Sequence, residues 1–305
     1  MWHFMSSVNA VRHASGFQCV RRGVAVPAQR VMTEVQEMTH GLKIELDSLG
    51  IATLRLTEAR QRNPLTRTIL ESLDDFLTAR RTAWDEGRHD DGVRVIVLEA
   101  EGPVFSSGHS FDDFAGASTD QVRGTLELCA HVNMLLSAVP QPTIAAVAGS
   151  CLAGGAQLAA SCDMVLAHRE SGTFCLPGAK GGGYCHTPSV AVCSRVGAHK
   201  ALELGLLGEV ISAGEAERIG LANRAVDADE WRSTVDGIAE QLAATYNRNL
   251  AEGKLTLYEQ ARAPDLAARY EIATGTMVGM FGSQSFQAHM REFLSRRKKK
   301  SSLTV

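Results

Sequence analysis

The stretch LKIELDSLGIATLRLT, residues 42–57, alternates apolar and polar positions on both sides of Ser48-Leu49-Gly50, the pattern of two strands joined by a tight turn. Asn63-Pro64 then predicts the opening of a helix, because proline is accepted in a first turn. Along residues 65–84 the apolar positions Leu65, Ile69, Leu73, Phe76 and Leu77 share one helical face. VRVIVLEA, 93–100, is apolar enough on both alternations to be a buried strand. After a loop over 101–116 the pattern predicts a helix near 122–137 and a strand in PTIAAVAG, 142–149. A short helix of small residues follows in AGGAQLAASC, then strands in DMVLAHR and GTFCLP. Beyond about Pro188 the periodicity is mostly helical, with Ser212-x-x-Glu215 as a capping box and three helix-period segments over 231–281. Strands and helices alternating in short units predict an α/β fold without internal repeats.

The chain has 305 residues, 45% of them apolar and 21% charged, the balance of a globular protein with a full core. A net charge of −3 provides no global field to recruit nucleic acid or an anionic membrane, and no apolar run reaches the ~18 residues of a membrane span. Seven scattered cysteines without a C-x-x-C pair suggest reduced buried thiols in an intracellular compartment, not a disulfide framework or a zinc site; no metal is expected. The first ~32 residues differ. They carry Arg12, Arg21, Arg22 and Arg30 and no acid precedes Glu34, which describes a mitochondrial transit peptide, with a disordered tail as the alternative. The basic end SRRKKKSSLTV suggests a solvated tail more than a nucleic-acid patch.

The candidate chemistry lies in two segments. EGPVFSSGHSFDDFAG, 101–116, puts a glycine and a histidine in a loop after a buried strand. AGSCLAGGAQLAASCD, 148–163, puts Ala153, Gly154 and Gly155 at the start of a helix. Small residues there let a ligand come close to backbone N–H groups at a helix N-terminus, although glycine also suits helix–sheet packing.

The order VIVLEAEGPVFSSGHSF, PTIAAVAGSCLAGGAQLAASCDMVLA, SGTFCLPG resembles the crotonase family, the enoyl-CoA hydratases and isomerases, over residues ~42–260. The resemblance implies a spiral of ββα units with a C-terminal helical region that drives trimer formation. The expected organisation is a leader or tail over 1–32, the spiral core over 33–255 and a helical region with the basic tail over 256–305. It implies acyl-CoA or enoyl-CoA thioesters as ligands, with coenzyme A part of the substrate and no separate cofactor, in fatty-acid or related metabolism of the mitochondrial matrix. The backbone amides of His109 and Gly154 correspond to the family's oxyanion hole, where donors meet the charge that develops on the thioester oxygen. Gly108, His109, Ser110, Phe111, Asp112, Gly154 and Gly155 correspond to the substrate-binding segments. Ser110 stands where many members have aspartate. Arg60 and Arg62 are candidates for the CoA phosphates, or plain surface charges.

Family hydratases also use two glutamates on one water. Here those positions are Gln157 and Gly178. An amide orients water but cannot take its proton, and glycine does neither. Conventional hydration is therefore expected to be weak, because positioned acid–base groups contribute ~10²–10⁴ in rate. His109 and His186 are the candidate replacement bases, with Asp112, Asp113 and Cys185 nearby in sequence, and each histidine can equally be structural. Three functions stay open: altered chemistry such as isomerisation or thioester hydrolysis, a non-catalytic acyl-CoA binder or regulatory subunit, and an RNA-binding protein using the basic tail.

Overall fold

The computed structural model describes the backbone of residues 32–39 and 41–301 and the side chains of residues 41–296. Up to residue 31 the expected leader lies outside the described residues, as do the last four residues of the basic tail. In chain order the elements are β1 (Met32–Thr39), β2 (Leu42–Asp47), β3 (Ile51–Leu56), β4 (Pro64–Leu65), α1 (Arg67–Asp85), β5 (Val95–Ala100), β6 (Val104–Ser106) and β7 (Gly108–His109). Then come α2 (Thr119–Ala138), β8 (Thr143–Val147), β9 (Ser150–Leu152), α3 (Gly154–Ser161), β10 (Met164–His168), β11 (Thr173–Cys175), α4 (His186–Val196) and α5 (Ala198–Leu207). The last are β12 (Ile211–Ser212), α6 (Ala213–Arg218), β13 (Arg224–Val226), α7 (Trp231–Thr245), α8 (Arg248–Arg262), α9 (Leu266–Gly282) and α10 (Gln284–Ser301).

These strands make a seven-stranded sheet ordered β1-β2-β3-β5-β8-β10-β13, a four-stranded sheet ordered β12-β11-β9-β6, and the short pair β4-β7. Strands β5, β8 and β10 run parallel in the large sheet, and β6, β9 and β11 run parallel in the small one. Each turn of the chain therefore gives one strand to each sheet and then a helix, the expected ββα spiral.

Both faces of the central parallel strands β5, β8 and β10 are covered, so those strands are mostly apolar on both alternations. Val95, Val97, Ile144 and Leu166 pack with Val235, Ala239 and Ala243 of α7. The alternate residues Ile96, Leu98, Ala145 and Val147 join the main core with Leu73 and Leu77 of α1 and Val132 and Leu136 of α2. The predicted hairpin is β2–β3, antiparallel with Leu42 opposite Leu56. Asp47 Oδ1 accepts the N–H groups of Leu49 and Ile51 and closes its turn.

Some expectations need correction. Pro64 opens no helix. Arg62 and Asn63 have φ of 67° and 49°, and the turn lays Pro64–Leu65 beside Gly108–His109 as a parallel pair. Buried Asn63 fixes this corner by donating its side-chain amide to the carbonyls of Glu101 and Val104, at 2.8 and 2.6 Å. Helix α1 starts only at Arg67, capped by Thr66 Oγ1. Ser212 caps α6, but Glu215 turns its carboxylate to Arg218 and completes no box, whereas Ser118 and Gln121 make a full one at α2. The expected boundary at 255–256 falls inside α8. Among the described residues no helix is long and apolar enough to cross a membrane.

Candidate active site

Two backbone segments meet where the small residues predicted they could. Gly108 has φ +89°, and a Cβ there would stand 2.9 Å from Gly154 N and 3.0 Å from Ala153 Cβ. No other residue combines that φ with that contact at low cost. Gly108 N donates to Ser106 Oγ at 3.1 Å, and Gly155 lies so close to Ser106 that a Cβ would meet its carbonyl at 2.7 Å. The turn 106–109 is thus pressed against the first residues of α3. Ala153, the N-cap, has φ 47° and ψ −115°, a strained conformation for a residue with a Cβ. It aims the first amides of α3 out of the helix, where they have no intrahelical acceptor. The first intrahelical bond of α3 runs from Gln157 N to Ala153 O.

Of the other residues marked in sequence, Ser110, Phe111 and Asp112 continue from His109 into a single 3-10 turn, where Phe111 is 86% exposed. Asp113 Oδ2 accepts the Arg67 N–H, tying this turn to α1. Arg60 and Arg62 are exposed, and among the described residues no ion pair involves them. Gln157 is buried on α3, and its Oε1 has no protein partner. It lines a cavity of about 640 Å³ between α2, α3, α4 and α8, whose wall includes Met134, Ala160, Val190, Ala191 and Tyr258. Gln157 therefore borders a roomy, largely apolar space.

Gly178 is different. A Cβ there would lie 2.7 Å from both Cys185 N and the Tyr184 carbonyl carbon. Its φ is not in the left-handed region, so it is glycine because backbone fills the place of a side chain. Cys185 Sγ accepts the Gly178 N–H at 3.3 Å. Burial pushes the Cys185 thiol up, which leaves it un-ionised at neutral pH. His186 is exposed at the start of α4, its ring edge-on to Tyr184, and it does not line the cavity.

The His109 ring sits beside the paired turns. A Cβ on Gly154 would come 3.5 Å from His109 Cδ2, and the ring packs edge-on against Phe114 with centroids 5.6 Å apart. Nδ1 and Nε2 are both shut off from solvent, and neither has a protein partner. Burial lowers its pKa, with the nearby Asp113 carboxylate opposing, so the imidazole is neutral.

One polar cluster escaped the sequence. Asp163 accepts from Thr143 N at 2.7 Å, Tyr258 OH at 2.8 Å and Lys254 Nζ at 2.8 Å. Lys254 also donates to the carbonyls of Leu136 and Gln141. Desolvation lowers the Lys254 pKa, with the Asp163 charge opposing. The cluster pins α8 over the cavity. Tyr258 is 95 residues from Asp163 along the chain, so nothing in the local sequence joins them. Among the described residues no group of three His, Cys, Asp or Glu side chains could hold a metal.

A two-sheet spiral with these facing turns defines a class, and the enoyl-CoA hydratase/isomerase family matches residues 47–301. The chain belongs to this family, the crotonases. It is 36% identical over 250 residues to the mitochondrial enoyl-CoA hydratase domain-containing protein 3 of Rattus norvegicus, covering 82% of this chain and 80% of that protein. The crystal structure of the human enoyl-CoA hydratase domain-containing protein 3 superposes with a TM-score of 0.77 at 32% identity, over 84% of this chain and 98% of that one. A 4-chlorobenzoyl coenzyme A dehalogenase of Arthrobacter is 26% identical over 265 residues, 84% of this chain and 91% of that protein.

Proposed function

We propose that this protein binds acyl-CoA thioesters in mitochondria, polarises the thioester carbonyl between the amides of His109 and Gly154, and is not a conventional enoyl-CoA hydratase. The observation that carries the reading is the contact of the Gly108 turn with Gly154 N at the start of α3. Preorganised donors of this kind supply one of the largest single contributions to acyl chemistry. The cavity at Gln157 has the size and the apolar wall an acyl chain needs, and the unpaired Arg60 and Arg62 suit CoA phosphates. Mitochondrial residence is supported by the name of the rat relative and by the Arg-rich, acid-free start of the chain.

The case against hydration rests on both carboxylate positions. Gln157 cannot take a proton, and the backbone of residues 184–185 occupies the space a side chain at 178 needs. Titration calorimetry with butyryl-CoA and crotonyl-CoA tests binding, and Gly108→Ala should weaken it by pushing the two turns apart. Crotonyl-CoA hydration should run ~10²–10⁴-fold below the ~10 s⁻¹ typical of enzymes. No affinity for either thioester overturns the reading. Hydration at a normal enzymatic rate overturns its second half.

A further inference from the structure

We infer that the His109 imidazole removes and returns the α-proton of a bound acyl-CoA, so that one residue carries both an amide for the thioester oxygen and the base for the adjacent carbon. The inference rests on the acyl-CoA reading above and adds to it the group that moves the proton.

The geometry selects this histidine. Its Cδ2 edge lies against the start of α3, beside the Gly154 amide, and both ring nitrogens are buried without a protein partner. Leaving a buried imidazole unsatisfied is unfavourable, so its position favours a ligand that can bond it. Other histidines are already engaged or lie elsewhere. His131 is bonded to Asp74, His168 to Ser171, and His186 is exposed on α4. The ring packs against Phe114 and close to Gly154 and makes no protein hydrogen bond, which leaves a lone pair free for a proton. Asp113, in the turn that follows, is the charged group whose field reaches the ring. It is partly satisfied by the Arg67 N–H. Phe114 and Leu65 bring no charge, and burial outweighs the aspartate, so the ring is in the form that accepts a proton.

The step balances without an oxidant or a metal. The free imidazole nitrogen takes the α-proton. The C–H electron pair becomes the second bond between the α-carbon and the carbonyl carbon, and the carbonyl π pair moves to oxygen, where the two amides hold it. The imidazolium trades its N–H hydrogen with water and returns a solvent hydrogen to the same carbon, which is exchange, or it delivers a proton to the γ-carbon of an enoyl chain, which is isomerisation.

Incubation of the full chain with butyryl-CoA in D₂O, followed by mass spectrometry of the recovered thioester, reads the step directly. Wild-type protein should incorporate α-deuterium. His109→Gln and His109→Phe should lose on the order of 10²–10⁴ of that rate while calorimetric affinity changes less than tenfold, since both keep the backbone amide. The wild-type rate should hold from pH 8 down to the ordinary imidazole value of 6.5 and fall only below it, because the folded pKa is depressed. His109→Gln should abolish that break. Binding without exchange in wild type overturns the inference and leaves the acyl-CoA reading standing, as does exchange that persists in both variants. Joint loss of binding and exchange in both variants also overturns it, since the ring then builds the site instead of moving a proton. No binding by wild type overturns both.

Discussion

At the scale of single residues, position 178 is where chemistry and packing disagree with a simple repair. Under the proposed reading, glutamates placed at 157 and 178 would supply the groups hydration needs, but the two positions are not equivalent. Gln157 borders open space and accepts a carboxylate sterically. Gly178 has backbone at 2.7 Å from where its Cβ would be. Gly178→Ala, which adds only that carbon, should cost about 1–3 kcal/mol in denaturant unfolding. Gly178→Glu should cost at least as much, and the Gln157→Glu, Gly178→Glu double variant should gain no hydration beyond Gln157→Glu alone. A double variant that folds with wild-type stability and hydrates crotonyl-CoA shows that the 184–185 backbone moves aside freely. The same scale explains why the site was only half legible. Small residues and a neighbouring histidine mark a cradle in the sequence. Whether a glycine is there for its φ and a contact together, as Gly108 is, or for a contact alone, as Gly178 is, depends on which distant backbone lies against it.

At the scale of elements, the roof of the cavity is a helix held by one buried ion pair. The Lys254 ammonium meets Asp163, Leu136 O and Gln141 O, which uses its three N–H groups, and only 10% of the side chain is exposed. Lys254→Met removes the paired cation and leaves the Asp163 carboxylate with the Thr143 and Tyr258 hydrogen bonds and only the field of Arg195 to offset its charge. Breaking one partner of a buried pair costs ~3–5 kcal/mol, so the urea midpoint at fixed protein concentration should fall by that equivalent. A change below ~1 kcal/mol means apolar packing alone holds α8. The helices themselves were readable, since α1 and α2 carry their apolar residues at helical spacing. What holds α8 in place was not, because a salt bridge has no periodicity.

At the scale of the whole molecule, the C-terminal helices present apolar residues that are exposed among the described residues. Leu257, Leu266, Tyr270, Met277, Val278 and Phe281 are each 41–68% exposed, and no residue of α9 is buried. Several exposed apolar side chains on α8 and α9 fit an interaction face, and the family resemblance makes two further copies of the chain its expected cover. Sedimentation at micromolar concentration should therefore find a trimer. Leu266→Asp with Val278→Asp should shift it to monomers without loss of helix content. A wild-type monomer counts against the assembly.

The sequence by itself determined the alternation of strands and helices, the β2–β3 hairpin and the two small-residue segments that meet at Gly108 and Gly154. Each is written in local periodicity or in turn residues, whose effect spans a few neighbours. Tertiary structure alone decided that Asn63 turns the chain into β4 instead of a helix, because its buried amide answers carbonyls at Glu101 and Val104. It alone separated His109 from His186, two histidines with the same claim on paper. One ring is buried beside Gly154 and the other faces solvent on α4. Burial and hydrogen-bond satisfaction depend on residues that meet only when the chain is folded, so no reading of one segment contains them.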